Sequence, residues 1–358
     1  MKEEVAVILV NYKEYANFFL GDCIDSLRKQ DYSGEISFFI VDNESSDESV
    51  AFMKSIVPEA EIIRNEQNAG FAKGNNDGIR LALQNNFKYI LLLNMDTVAE
   101  SDCVKKLIGV MEDKNSKNSE KEIGAAQARL MIHGEENKIN SLGNSIHFLG
   151  FGYCKGYGDE YDSANFLDES ADILFPSGAA VLFNREALLK AGLFDEEFWM
   201  YNEDEDLGWR LWLLGYKCVL VRDAVVYHKY KFSRNVSKYY QLERNRIITI
   251  LKNYHWATLF LVLPAFLIME IGLILFSFLN GWLAEKLRSY KYFLSVKNWR
   301  YIINARKKIQ SSRLVRERDI IKMFSGKIWY QEIGDWKLIL ANKIFNFYWK
   351  VLKFFIFW

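Results

Sequence analysis

Three short apolar runs, each ended at once by a polar cluster, constrain this chain more than any other feature. Val5–Val10 leads into Asn11-Tyr12, Ile36–Val41 into Asp42-Asn43-Glu44, and Tyr89–Leu93 into Asn94-Met95-Asp96. Runs this short, bounded by turn residues, read as buried strands. Between them lie helical patterns over roughly Phe18–Gln30, Ser46–Ile56 and Ala72–Asn85, with Ser45 and Ser46 offering N-cap chemistry ahead of Asp47. The alternation predicts an α/β domain with a mainly parallel sheet. Ligands of such sheets bind beyond the carboxyl ends of the strands, so three polar strand ends outweigh any one alone.

Composition closes off other classes. With 50% hydrophobic and 26% charged residues, the chain is neither a disordered polymer nor a polytopic membrane protein. Its 358 residues exceed one ordinary core and imply one large domain with an appendage, divided here as residues 1–250 and 251–358. Cys23, Cys103, Cys154 and Cys218 form no CxxC pair, which argues against a disulfide scaffold or zinc ribbon and suits a reducing compartment. The charged start and the short apolar run after it predict no secretory signal. The net charge of zero hides an asymmetry: residues 282–358 hold 17 Lys/Arg against 5 Asp/Glu. A basic tail on an acidic body predicts an anionic partner, either nucleic acid or a membrane surface.

The segment Trp256–Leu279 is long and apolar enough to cross a bilayer. Basic residues flank it on both sides (Lys229, Arg244, Arg246 and Lys252 before, Lys286, Arg288 and Lys291 after), so charge sets no orientation, and Glu270 opposes a lipid core. A re-entrant or in-plane helix pair therefore competes with a span and with a buried soluble helix. Leu338–Trp358 interleaves Lys343, Lys350 and Lys353 with apolar and aromatic residues, as interfacial helices do, and would suit a dimer contact equally. Residues 113–122 read as a solvated loop, and 133–172 as irregular structure covering a cleft.

Five motifs could carry chemistry. Asp42, at a strand end, can accept hydrogen bonds from a nucleobase or ribose, or simply close a turn. In Asn68-Ala69-Gly70-Phe71-Ala72-Lys73-Gly74-Asn75 the glycines allow close backbone approach to an anion at a helix start, or close helix packing. Asp96 can hold a hard divalent cation or cap the next element. Glu203-Asp204-Glu205-Asp206 opens a helix, where the dipole favours acids; helical periodicity nonetheless spreads four successive acids over several faces, and one of them can act as a general base. His228 follows another apolar run and gains a partner in Asp96.

Together the motifs resemble the family 2 glycosyltransferases, which have a GT-A fold. The resemblance covers about Val5 to Leu251: VNY, VDNESSD, NAGFAKGNN, LLLNMD, PSGAA, GLFDEEFWMYNEDEDLGWR and a late YH occur in the family's order. The look is nearest to rhamnosyltransferase-like members that build bacterial surface polysaccharides, and LKNY, Pro264, Glu270 and ARKKIQ in the tail are similar too. The resemblance implies a nucleotide-sugar donor, with dTDP-rhamnose leading and UDP-hexoses following. Asn11, Asp42, Asn68, Gly70, Asn75 and Asn94 would meet the donor nucleotide, and Gly178 and Ala179 the donor sugar. Trp199, Tyr201 and Glu203 would meet a glycan or lipid-linked acceptor. Asp96 and His228 would hold Mn2+ or Mg2+, with Asn94 standing where the family's triplet often has Asp. Asp204 would be the base of an inverting reaction at the cytoplasmic face of the membrane.

Two readings from other classes compete. A non-catalytic scaffold for a membrane-anchored glycan would need no metal, and Asp42, Asp96, Asp204 and His228 argue against it. A nucleic-acid binder would use the tail's aromatics for stacking, but their companions are Leu, Ile and Val runs, and no recognition module is present, so no nucleic-acid partner is expected.

Overall fold

The computed structural model describes residues 4–113, 122–162, 170–229, 236, 238–328 and 336–358. The chain starts with β1 (Val5–Tyr12), α1 (Tyr15–Arg28), β2 (Ile36–Asn43), α2 (Asp47–Ile56), β3 (Glu61–Asn65), α3 (Gly70–Gln84) and β4 (Tyr89–Leu93). Ser46 caps α2 through its side chain, which accepts from the Ser49 N–H. β1 pairs in parallel with both β2 and β4, and β2 in parallel with β3. The apolar runs are continuous because both sheet faces are covered. Ala6, Ile8, Ile90 and Leu92 pack with Ala72, Ile79 and Ala82 of α3 on one face. Val5, Val7, Leu9 and Leu91 pack with Leu20 and Ile24 of α1 on the other.

The second half adds β5 (Thr97–Ala99), α4 (Cys103–Glu112), β6 (Ile123–Ile132), β7 (Glu135–Ser141), β8 (Asn144–Ile146), β9 (Gly152–Cys154), β10 (Ser170–Asp172), β11 (Ala180–Asn184), α5 (Arg185–Ala191), α6 (Glu203–Leu213) and β12 (Lys217–His228). The main sheet runs β10-β12-β6-β11-β4-β1-β2-β3. β11 is antiparallel to β4 and β6, while β6 and β12 are parallel, so the sheet is mixed and mostly parallel.

The expectation of irregular structure over 133–172 needs correction. β7 pairs with β6, β8 with β9, and β10 with β12. β8, β9 and β10 have only three residues each, too few for a period-two pattern to show in the sequence. β3 went unread because Glu61-Ile62-Ile63-Arg64-Asn65 is a short edge strand with only two apolar residues. Of the expected loop at 113–122, residues 114–121 lie outside the described ones. All four cysteines are free thiols.

The tail is helical: α7 (Lys238–Asn253), α8 (Trp256–Leu279), α9 (Leu283–Tyr292), α10 (Val296–Ser312), α11 (Glu317–Ile321) and α12 (Trp336–Phe355). A division after residue 250 falls inside α7. The apolar segment is one continuous helix, not a pair. Three basic residues read as its flank do not face outwards: Arg244, Arg246 and Lys252 are buried. Arg246 pairs with Glu243 and Glu270, and Lys286 pairs with the same two acids. The Tyr290 hydroxyl donates to Glu270 Oε2 at 2.6 Å. Glu270 is thus one member of a buried ion cluster that joins α7, α8 and α9.

Candidate active site

The parallel register sets Asn11 beside Asp42 at the ends of β1 and β2. Asn11 Nδ2 donates to Asp42 Oδ1 at 2.7 Å, and Asn11 Oδ1 accepts from the Ala16 N–H at 2.8 Å. Ser45 Oγ donates to Asp42 Oδ2 at 2.6 Å. The Asp42 carboxylate is therefore fixed in place by a neighbouring strand end and by the loop after its own strand. Asn68 Oδ1 accepts from the Gly70 N–H at 3.0 Å, which shapes the entry to α3. Asn75 is buried, and its amide donates to the Phe71 carbonyl of its own helix at 2.9 Å, so it does not join the rim in this geometry. Asn94 is half-buried, and its backbone N–H donates to the Ala179 carbonyl at 3.0 Å. That bond joins the end of β4 to the Gly178-Ala179 loop.

His228 closes β12, where pairing with β5 sets it opposite Thr97. Its Nε2 lies 3.3 Å from Asp96 Oδ1; burial pushes the Asp96 carboxyl up, but hydrogen bonds from His228 and Tyr15 hold it below the usual carboxylate range. His228 Nδ1 lies 3.1 Å from Asn140 Oδ1 on β7. In the tautomer protonated on Nδ1, that atom donates to the Asn140 amide oxygen and Nε2 keeps a lone pair that a cation could use. Two lone-pair atoms at this spacing fit adjacent ligands of an octahedral cation, which stand about 3 Å apart for bonds near 2.1 Å. Among the described residues no group of three or more His, Cys, Asp or Glu side chains gathers around a metal position. The pair would supply part of a coordination shell, leaving the rest to phosphate oxygens and water.

The four acids of α6 have four different surroundings. Asp206 is buried and accepts from Arg210 Nε at 2.9 Å and Asn253 Nδ2 at 2.9 Å, with Lys252 Nζ at 3.1 Å. Glu205 is buried; burial pushes its carboxyl well up, although Asn202 Nδ2 donates to it at 2.7 Å. Glu203 is buried too, pushed well up by burial and then by the neighbouring Asp204 charge. It presents little surface to an acceptor, and its Oε2 meets no donor. Asp204 alone stays partly exposed. Burial raises its carboxyl to about 6, against hydrogen bonds from the Glu205 and Gly178 N–H groups that lower it. Gly178 reaches Asp204 because it has no side chain: a Cβ there would stand 2.9 Å from the Phe71 ring.

The aromatic loop before α6 is strained. Trp199, Tyr201 and Asn202 hold φ values of 63°, 70° and 63°, a region non-glycine residues seldom occupy. The Trp199 carbonyl accepts from the Ala72 N–H at 3.1 Å and its indole donates to the Asn68 carbonyl at 3.4 Å, so Trp199 rests on the glycine loop. Sequence reasoning missed what restrains the loop. Asn245 of α7, fully buried, points its amide at the carbonyls of Phe198, Met200 and Tyr201 at 3.0, 2.9 and 2.7 Å. Arg244 Nη2 donates to the Glu197 carbonyl at 2.7 Å. The only signal was Glu243-Arg244-Asn245-Arg246, a polar run at positions that the helix buries.

Among solved structures the chain is similar to GalNAc-T7 with UDP, GalNAc and Mn2+, at a TM-score of 0.54 and 13% identity, covering 70% of this chain and 48% of that one. It is similar to S. aureus TarS at a TM-score of 0.51 and 17% identity, covering 97% and 54%. TarS 1-349 in complex with UDP matches at 0.50 and 15%, covering 99% and 90%. The chain spans about half the length of the first two. At these identities the likeness establishes the fold, which is GT-A. No curated protein sequence matches the chain. The model described as Glycosyl transferase family 2 matches residues 6–123, and that described as Glycosyl transferase family group 2 matches residues 89–305. With the second match spanning more than half of its length, the chain belongs to the family 2 glycosyltransferases.

Proposed function

We propose that the chain is an inverting, metal-dependent transferase that moves a sugar from a nucleotide-diphosphate donor to a glycan or lipid-linked saccharide. One observation carries the reading. Of four consecutive acids only Asp204 keeps some exposed surface, and burial raises its carboxyl to about 6, where it can exist as a base at neutral pH and still take a proton. Asp204 would remove the acceptor hydroxyl proton as that oxygen attacks the anomeric carbon from the face opposite the leaving diphosphate. The Gly178-Ala179 loop, bonded to Asp204 at one end and to Asn94 at the other, would line the donor sugar. Asn11, Asp42, Asn68 and Gly70 would shape the nucleotide site. Trp199 and Tyr201 would offer ring faces to the acceptor. Asp96 and His228 would hold Mn2+ or Mg2+, which when bound supplies positive charge to the departing diphosphate.

The sequence motifs favour dTDP-rhamnose as donor. A UDP-sugar is the second reading, supported by the UDP bound in the GalNAc-T7 and TarS 1-349 structures. The basic, apolar tail supports work at the cytoplasmic membrane face, with a lipid-linked acceptor within reach. The test is nucleotide release and thermal shift with UDP-, dTDP- and GDP-sugars, with and without Mn2+. One donor should stabilise the protein only with metal, and Asp96→Ala or His228→Ala should abolish that metal-dependent part. A panel in which no donor acts, with or without metal, would sink the reading.

A further inference from the structure

The outer side of α8 has no covering among the described residues. Phe260, Leu267, Ile268, Ile271, Leu275 and Phe278 are all exposed, by 54% to 75%. Their spacing puts them on one side of the helix. Away from that side, Thr258, Val262, Ala265, Glu270 and Ser277 are buried, from the first turn of the helix to near its end. Thr258 hydrogen-bonds Glu317 at the start, Glu270 joins the ion cluster further along, and at the end Phe276 meets the ring of Trp282, which stacks on Tyr239 of α7. α8 is therefore held to the rest of the chain at its start, its middle and its end.

α12 repeats the design beside it. Phe345, Trp349, Leu352 and Ile356 are buried, while Leu340, Ile344, Phe347, Val351 and Phe354 are exposed on another side. The Tyr348 hydroxyl donates to the Leu261 carbonyl at 2.7 Å, and the Trp358 indole to Thr258 Oγ1 at 3.0 Å, fastening α12 to α8. Exposed Lys343 and Lys350 lie on α12, and exposed Lys297, Arg300, Lys307 and Lys308 on α10.

We infer that the chain seats on an anionic lipid bilayer with α8 and α12 lying in the membrane plane, each immersed by its apolar side, and that α8 does not cross. The inference rests on the proposed membrane-facing role and is independent of the sugar. Two features select lipid over a second copy of the chain. Residues 282–358 carry 17 Lys/Arg against 5 Asp/Glu, so two copies meeting through this face would bring like charges together, whereas anionic headgroups neutralise them. The acidic remainder is repelled by the same surface, which turns the tail towards the lipid. A crossing is opposed by geometry. A helix of 24 residues is about 36 Å long, so a span would carry Glu270, and with it Arg246, Glu243 and Lys286, deep into hydrocarbon.

The experiment uses the full chain and phosphatidylcholine vesicles with and without phosphatidylglycerol. Phe260→Cys, Ile268→Cys and Phe278→Cys would each carry an environment-sensitive fluorophore, since Cys23, Cys103 and Cys218 are buried and Cys154 is half-buried. Leu267→Cys replaces any variant whose melting curve departs from that of the parent. The expected result is binding that phosphatidylglycerol strengthens and salt weakens, with all three labels quenched at one shallow depth, about 5–10 Å in. Ile268→Glu with Ile271→Glu should weaken partitioning by about tenfold or more while the fold persists. Labels at 260 and 278 near opposite surfaces with 268 deepest would overturn the in-plane seat but keep the membrane role. No binding to either vesicle, or a stable dimer in light scattering that vesicles leave intact, would overturn both. Nucleotide release, read on the same samples, stays a separate result.

Discussion

Asp204 shows how surroundings assign different roles to chemically similar neighbours. Burial pushes Glu203 and Glu205 up towards their neutral forms, cations and an amide fix Asp206, and Asp204 is left near 6. A base works when deprotonated, so the rate should rise with pH and reach half its plateau near pH 6. A pH profile of kcat/KM flat from pH 5 to 8 would remove Asp204 from that role. Asp204→Asn should cut transfer by about a thousandfold or more, with donor-induced thermal shift unchanged. The residues alone pointed to the acid cluster but could not choose within it, because helical spacing says which acids differ in direction and not which direction is covered. The resemblance chose Asp204, and burial sets its carboxyl apart from those of Glu203 and Glu205.

At the scale of elements, α7 holds the aromatic loop before α6, the proposed acceptor loop, in a strained shape. One amide, that of Asn245, serves three carbonyls of a segment with three positive φ values. Asn245→Ala should cost about 1–3 kcal/mol of stability. It should also raise acceptor KM by about tenfold to a hundredfold while donor hydrolysis persists. Equal losses in both reactions would mean that the loop has no particular link to the acceptor. Gly70 is the companion test. Its φ of 78° suits glycine, and a Cβ there would overlap the Trp199 carbonyl and ring. Gly70→Ala should lower the melting temperature, and Gly109→Ala, in open space inside α4, should raise it slightly.

At the scale of the molecule, the ion cluster of Glu243, Arg246, Glu270 and Lys286 ties the tail helices α7, α8 and α9 to one another. Burial pushes the Glu270 carboxyl up, but Arg246 and Lys286 hold it down to about 2. Its folded value lies below the ordinary 4.5, so this part of the stability is full above about pH 4.5 and is lost as pH falls towards 2. Urea midpoints measured from pH 6 down to pH 3 should fall, and Glu270→Gln should flatten that slope. Breaking the buried cluster should cost about 3–5 kcal/mol at neutral pH, because two cations lose a shared anion. A neutral-pH midpoint unchanged in Glu270→Gln would show that the cluster carries little of the fold.

The polar strand ends, the α/β alternation, the acid helix and the apolar helix were legible in the amino-acid order, because each rests on local periodicity and on which residue types tolerate burial. Tyr89–Leu93 and Trp256–Leu279 read to the residue. Features too short for a pattern, or set by contacts distant in sequence, were not legible: the β3 edge strand, the short strands after residue 133, the Asn140 beside His228, and the Asn245 clamp. Glu270 carries the same lesson. In sequence it is a charge inside an apolar run, costly in any lipid core. Only the packing of α7 and α9 decides that it meets Arg246 and Lys286, because the partners of a buried charge are chosen in space and leave no mark on the residues beside it.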